Sequence, residues 1–264
     1  MNTTKIEWCD LTWNPVTGCL GPNGKVCEYC YARNRVRRFQ GHTHDGETII
    51  TSPSIGPTVL SHPLTIVSQY GVPRKAAFPF GFHPTLHEYR LGEPARSQPK
   101  DIFVCSMADL FGDWVPDEWI EKVFAACRMA PWHRYLFLTK NPRRYCKLLE
   151  KGRLPLDKNM WYGTTVTNHQ DCSRAKELCI LSPHHPNTFL SLEPLLELVK
   201  FAMLPEWLIL GGETGNRKGK VRPEQSWLEY YADVCRSVGT SVFMKNSLAD
   251  IWGEKLIREL PWKG

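Results

Sequence analysis

Beyond about residue 100 the chain alternates short apolar runs with longer amphipathic stretches. Six runs, at 102–106, 135–139, 160–165, 188–192, 207–211 and 241–245, place apolar residues at consecutive positions. That pattern predicts strands buried on both faces of a parallel sheet. The runs lie roughly 25 to 30 residues apart, the room one β-α unit needs. The gaps predict helices: 117–129 follows Pro116 with acidic residues in its first turn, and 225–238 stops at Gly239, a natural C-cap. A strand at 11–16 makes seven. A complete eight-stranded barrel takes about 250 residues, and this chain spends 40–100 on something else. The pattern therefore predicts an α/β fold: one domain over residues 1–264, a partial (β/α) TIM-type barrel of six or seven parallel strands.

The 40–100 stretch is rich in Pro, Gly and His, with one short strand signal at Leu64-Thr65-Ile66-Val67. It reads as a loop-rich insertion. Its histidines (His42, His44, His62, His83, His87) lack tight metal-ligand spacing; His83 and His87 stand at i, i+4, but Pro84 argues against a helix there. Apolar residues at 42% and charged residues at 23% are ordinary for a globular chain, which argues against disorder and fibrous classes. Neither a long apolar span nor a secretory layout at the amino terminus is present, so no membrane association and a cytoplasmic location are expected. Ten cysteines in that setting read as thiols, not a disulfide scaffold. The net charge of +6 fits solubility, an acidic small molecule or nucleic acid alike. Its densest basic stretch is Arg33-Asn34-Arg35-Val36-Arg37-Arg38, a helical segment that reads as a solvated face or as a phosphate binder.

Three cysteines stand apart. Cys19, Cys27 and Cys30 have the spacing C-x7-C-x2-C in a Gly- and Pro-rich loop that runs into the basic helix. Thiolates are soft ligands, and a loop of small residues can wrap a cluster and aim backbone N–H groups at its sulfurs. Three ligands leave one iron of a [4Fe–4S] cubane open to a cosubstrate. A structural zinc site instead needs a fourth ligand, and Cys9 is the nearest spare thiol. On residue types and spacing alone, cluster and zinc stand level.

The segment Cys27-Glu28-Tyr29-Cys30-Tyr31-Ala32 resembles the C-x2-C end of radical S-adenosylmethionine enzymes, whose first gap usually holds three residues, not seven. The chain more closely resembles the three-Cys-motif family of phages and bacteria, a domain of unknown function. That resemblance runs through Lys5-Ile6-Glu7-Trp8, Trp13-Asn14-Pro15-Val16-Thr17-Gly18-Cys19, Ser106-Met107-Ala108-Asp109-Leu110-Phe111, Leu138-Thr139-Lys140-Asn141-Pro142, Leu190-Ser191-Leu192-Glu193-Pro194-Leu195 and Gly211-Gly212-Glu213-Thr214-Gly215. The radical-enzyme resemblance implies a [4Fe–4S] cluster on Cys19, Cys27 and Cys30, with S-adenosylmethionine on the open iron. It also implies a 5′-deoxyadenosyl radical acting on a substrate, and an electron donor such as flavodoxin or ferredoxin. Gly211-Gly212-Glu213 resembles the motif that holds the cosubstrate's methionine amino group, although it follows a late strand here and an early one in those enzymes.

Polar residues at the carboxyl ends of parallel strands converge on active sites in β/α folds. Here they are Ser106 and Asp109, Thr139 and Lys140, Thr165 and Thr167, Ser191 and Glu193, Gly212 and Glu213, and Lys245 and Asn246. Any one alone reads equally as a helix cap or loop charge. As a set they predict a site in which Ser106, Asp109, Thr165, Ser191, Glu193, Gly212 and Glu213 bind cosubstrate, and Lys140, Glu193 and Lys245 serve the reaction. The lysines suit a carboxylate or phosphate, and a nucleobase or nucleic acid is the candidate substrate. The competing class is a zinc-stabilised nucleic-acid-binding or modification-accessory protein, with Arg33, Arg35, Arg37 and Arg38 on phosphates.

Overall fold

In a computed structural model of the chain, which describes residues 1–39, 56–67, 71–215 and 217–263, the apolar runs form the strands of a mixed α/β fold with a large, mostly parallel sheet. The chain falls into two compact units, Met1–Thr4 with Leu11–Tyr135, and Lys5–Asp10 with Leu136–Gly264.

The first unit holds β1 (Asn2–Thr3), β2 (Leu11–Trp13), β3 (Val16–Thr17), α1 (Tyr31–Phe39), β4 (Thr58–Leu60), β5 (Thr65–Val67), β6 (Pro73–Lys75), β7 (Thr85–His87), β8 (Asp101–Val104) and α2 (Asp117–Arg128). Strand β2 pairs antiparallel with β1 and parallel with β8, which sets Trp13 beside Val104. The single strand expected at 11–16 is two strands. Pro15 has no N–H to give a ladder, so the chain leaves the main sheet after Trp13 and β3 joins β7, which also pairs with β4. Strands β5 and β6 make a separate hairpin. Helix α2 opens on Asp117 and Glu118 and buries Trp119, Ile120, Val123, Phe124 and Cys127, one apolar stripe at helical spacing. Each large side chain so buried contributes roughly 1.5–3 kcal/mol.

Within the 40–100 stretch, residues 40–55, with His42 and His44, lie outside the described residues, as do 68–70. The other histidines do not gather. His62 bonds the Ser61 hydroxyl, and His83 Nε2 bonds the Gly56 carbonyl at 2.8 Å. His87 is fully buried, with Nε2 on the Thr17 hydroxyl at 2.8 Å and Nδ1 on the Tyr89 hydroxyl at 3.0 Å. Burial, helped by Arg90, pushes its pKa down to about 3. The imidazole is therefore neutral when folded but takes a proton on unfolding below its ordinary pKa of about 6.5. Stability is expected to fall as pH drops from there toward 3. Melting temperatures across that range should decline less steeply in His87→Gln than in the parent.

The second unit holds most of β9 (Arg134–Thr139), then α3 (Arg143–Glu150), β10 (Met160–Thr165), α4 (Cys172–Leu181), β11 (Thr188–Leu192), β12 (Trp207–Leu210), α5 (Gln225–Val238), β13 (Ser241–Met244) and α6 (Ala249–Trp252). Its strands neighbour one another in chain order, and β10, β11, β12 and β13 are parallel. Helix α5 buries Leu228, Tyr231, Ala232 and Cys235, and Gly239 caps it in the left-handed conformation at φ 77°. Trp207 sits in an aromatic cluster with Trp8, Phe189, Phe243, Trp161 and Trp262. The α/β class and the parallel sheet match the sequence pattern, but among the described residues no barrel closes. The outer edge of β13 is met instead by 257–259: Met244 N–H donates to Ile257 O, Glu259 N–H donates to Val242 O, and Phe243 bridges Arg258 antiparallel. An edge so covered is not offered to a further parallel strand. No described helix is long and apolar enough to cross a membrane.

Candidate functional site

The cysteine loop starts where β3 ends and is pinned by backbone on two sides. Gly18 N–H donates to Met107 O at 2.9 Å, and Cys19 N–H donates to Phe82 O at 3.2 Å. Gly18 has φ +84°, and a Cβ there would lie 2.2 Å from the His83 carbonyl oxygen, so only glycine fits. Cys30 N–H bonds Cys27 O at 3.1 Å, a turn that leads into α1. Two sulfurs already accept backbone N–H groups, Cys19 from Gly21 at 3.2 Å and Cys30 from Arg33 at 3.4 Å. Cys30 also packs against the buried cluster of Ala32, Val36 and Met107, beside Phe78 and Phe82.

Burial pushes the Cys19 thiol up to about 12; Asp109 raises it too, the Gly21 N–H opposes, and Cys30 and Cys27 add smaller upward contributions. Among the described residues, no three His, Cys, Asp or Glu side chains stand close enough to hold a metal ion. The donor set suits an iron–sulfur group: three soft ligands, backbone N–H groups on two of the sulfurs, and a glycine-rich connection that can close.

Strand β8 delivers Ser106 and Asp109 to the same unit. Its last step passes through Cys105, the one non-glycine residue with positive φ (58°) among those described, a conformation that costs roughly 1–2 kcal/mol. The turn is held by Asn14, whose Oδ1 accepts the Ser106 hydroxyl at 3.2 Å and the Met107 N–H at 2.9 Å. Tyr31, directly after Cys30, donates its hydroxyl to Ser106 O at 2.5 Å. Asp109 Oδ1 accepts Phe111 N–H at 3.1 Å, closing its own turn. The structure so sets the cysteine loop beside the turn that carries Ser106 and Asp109, with Asn14 as an organiser that sequence reasoning missed. Its signal was the Asn-Pro step that breaks 11–16.

The second unit has its own strand-end row. Leu192, Leu210 and Met244 are in register, so the next row is Glu193, Gly211 and Lys245. Glu193 and Lys245 belong to strands two spacings apart, roughly 10 Å. They nevertheless form an ion pair, because the intervening residue has no side chain. A Cβ on Gly211 would lie 3.2 Å from both Glu193 Cγ and Lys245 Cδ. With 15% of Lys245 and 28% of Glu193 exposed, the pair contributes little stability, roughly 1 kcal/mol or less. It is a matched pair of charges at the strand ends. Thr165 and Ser191, both buried, are register partners one strand over.

The remaining predicted residues have other surroundings. Glu213 is buried and takes a two-pronged pair from Arg217, at 2.5 and 2.7 Å, which holds its carboxyl below the usual range. Gly212 N–H donates to the Ser247 hydroxyl at 3.0 Å. Thr167 donates its hydroxyl to Asp171 at 2.8 Å, beside the Asp171–Arg174 pair at 2.7 Å. Lys140 is half-buried just past Thr139, whose hydroxyl accepts Asn141 N–H at 2.9 Å. Asn246 binds Arg258 and Glu7. Cys9 points a weak S–H at Ile6 O, 3.9 Å away.

With this geometry in hand, a family assignment follows. The chain belongs to the family described as "Protein of unknown function (DUF5131)", whose model matches residues 3–258. No curated protein matches it. Among solved structures it is similar to one titled "Spore photoproduct lyase complexed with dinucleoside spore photoproduct". The identity is 10% and the TM-score 0.46, over 80% of this chain and 58% of that one.

Proposed function

We propose that the protein is a radical S-adenosylmethionine enzyme in which Cys19, Cys27 and Cys30 carry a [4Fe–4S] cluster. The observation that carries this reading is the cysteine loop: Cys30 N–H bonds Cys27 O in the turn that leads into α1, Cys19 and Cys30 each accept a backbone N–H at sulfur, and the loop holds no fourth thiol. Held by Cys19, Cys27 and Cys30, such a cluster would pass one electron from a donor such as flavodoxin or ferredoxin to S-adenosylmethionine, the chemistry that would yield methionine and a 5′-deoxyadenosyl radical able to take hydrogen from a substrate.

The chain's own residues bind and orient. Asp109, fixed by its turn, offers a carboxylate to an amino group or ribose hydroxyl, and Ser106 sits on the same turn. Glu193 and Lys245 can exchange their mutual pair for the ammonium and the carboxylate or phosphate of a ligand, and Lys140 adds a cation. Thr165 and Ser191 come just before that row of strand ends, Gly212 and Glu213 just after it, and they complete the binding surface.

The test is anaerobic incubation of reconstituted protein with S-adenosylmethionine and dithionite. 5′-Deoxyadenosine should accumulate with the parent chain. Lys245→Met should keep its iron while substrate-dependent turnover falls about tenfold or more, as expected for loss of a charge-assisted contact. Absence of 5′-deoxyadenosine from a protein that holds iron and sulfide would count against the reading.

A further inference from the structure

Between Glu213 and Glu224 the chain holds four basic residues and no acidic one. Glu213, three residues past the end of β12, turns inward and is 7% exposed. A carboxylate so buried is costly unless a cation and N–H groups answer it. Arg217 answers with two bonds, Nε at 2.5 Å and Nη2 at 2.7 Å, and Val221 N–H donates to the same carboxylate at 3.4 Å. Arg217 is also the main cause of the lowered Glu213 pKa, and Lys220 contributes least to it. One buried side chain thus holds the stretch 217–221 at both ends. The other cations lie outside: Lys218, Lys220 and Arg222 are exposed. Gly219, between the two lysines, turns at φ +72° with nothing within 4 Å of a would-be Cβ, so this part of the loop stands in open space. Arg222 is oriented by a bond from Nη2 to Asp250 O at 3.0 Å, which uses one of the several N–H donors of a guanidinium.

A loop that only had to stay solvated would gain nothing from a buried charge. Fixing its shape lowers the ordering cost of binding, and what is fixed here is a run of like charges that repel one another until an anion comes between them. The run springs from the carboxyl end of a parallel strand, the end that carries the row of Glu193, Gly211 and Lys245 and at which β/α folds take their ligands. A single phosphate needs donors that converge on it. Three cations strung along an exposed stretch fit phosphates that recur at short, regular spacing. No aromatic residue stands between 213 and 224, so the contact is with backbone and not with stacked bases. We infer that Lys218, Lys220 and Arg222 bind the phosphate backbone of nucleic acid, on a loop that the Glu213–Arg217 pair holds in shape. This deepens the radical reading by naming its substrate class, and rests on that reading only for the bound strand being the reactant.

Fluorescence anisotropy with a short labelled DNA duplex tests this, titrated at several salt concentrations with the full chain and without S-adenosylmethionine or reductant. Affinity should fall with salt by about 0.9 log units per log unit for each phosphate neutralised. In Lys218→Gln/Lys220→Gln, which keeps the Glu213–Arg217 pair and the Arg222 bond, that slope should flatten by about 1.8, with affinity about tenfold lower at low salt. Lys176→Gln/Arg236→Gln removes the same charge from exposed positions on α4 and α5 and should change neither. Far-ultraviolet circular dichroism should be the same in all three proteins. An unchanged slope in the loop variant overturns the proposal, as does an equal loss in the α4 and α5 variant. So does equal competition by a nucleoside triphosphate, anionic lipid vesicles or an acidic peptide at matched charge. Because the assay needs no radical chemistry, its failure leaves the radical reading untouched. A reconstituted chain that binds the duplex but makes no 5′-deoxyadenosine would sink the radical reading alone.

Discussion

Cys30→Ala, purified without oxygen and reconstituted beside the parent, is expected to lose the iron and sulfide that the parent holds. Two sulfurs cannot replace three around a cubane, and Cys30 also supplies the acceptor for the Arg33 N–H at the start of α1. The rest of the first unit should survive, because Cys30 is only partly buried and Ala32, Val36 and Met107 remain packed. The expected result is therefore a folded, colourless protein with an unchanged circular dichroism spectrum. Cys146→Ala or Cys179→Ala, outside the loop, should stay coloured. Equal iron in the Cys30 variant and the parent would remove Cys30 from the ligand set.

Gly18→Ala is expected to be the most damaging single-methyl change in the loop. The new Cβ would meet the His83 carbonyl oxygen at 2.2 Å and the Phe82 carbonyl oxygen at 2.7 Å, both backbone atoms that no rotamer can move. Left-handed strain adds to the clash, for a loss on the order of 4 kcal/mol. Gly24, on the same loop at φ +73°, has nothing within 4 Å of its would-be Cβ. Gly24→Ala should cost about 1 kcal/mol, from strain alone. Urea midpoints of the two variants compare these costs directly. A similar midpoint for both would mean that the segments carrying Gly18 and His83 are not held together as the structure has them.

The strands were legible where a residue's neighbours in sequence decide its fate. Thr188–Leu192 and Met160–Thr165 are mostly apolar, with small polar residues among them, and come out buried throughout. Gly239 marks the end of α5 because only glycine takes that backbone angle cheaply. The break at Pro15 was written in the chain, yet apolar residues on both sides of it suggested one strand. What remained hidden depends on register. That Glu193 and Lys245 reach each other across Gly211 requires knowing that Leu192, Leu210 and Met244 stand in line. Equally, Asp109 lies 90 positions from Cys19, and contacts far apart in sequence, the β2–β8 pairing and the Gly18–Met107 bond among them, bring the two segments together. Glu213 has a contact that its Gly-Gly-Glu context did not signal: Arg217, four residues on, holds both carboxylate oxygens.

All of the proposed chemistry rests on three sulfurs sharing one iron–sulfur group that would keep an iron free for a small molecule. The most direct measurement is iron, sulfide and zinc analysis of the anaerobically purified parent chain, followed by electron paramagnetic resonance of the reduced protein with and without S-adenosylmethionine. The account predicts iron and sulfide in equal amounts, and a signal that shifts when S-adenosylmethionine is added. Stoichiometric zinc without sulfide, or a cluster signal indifferent to S-adenosylmethionine, would contradict it.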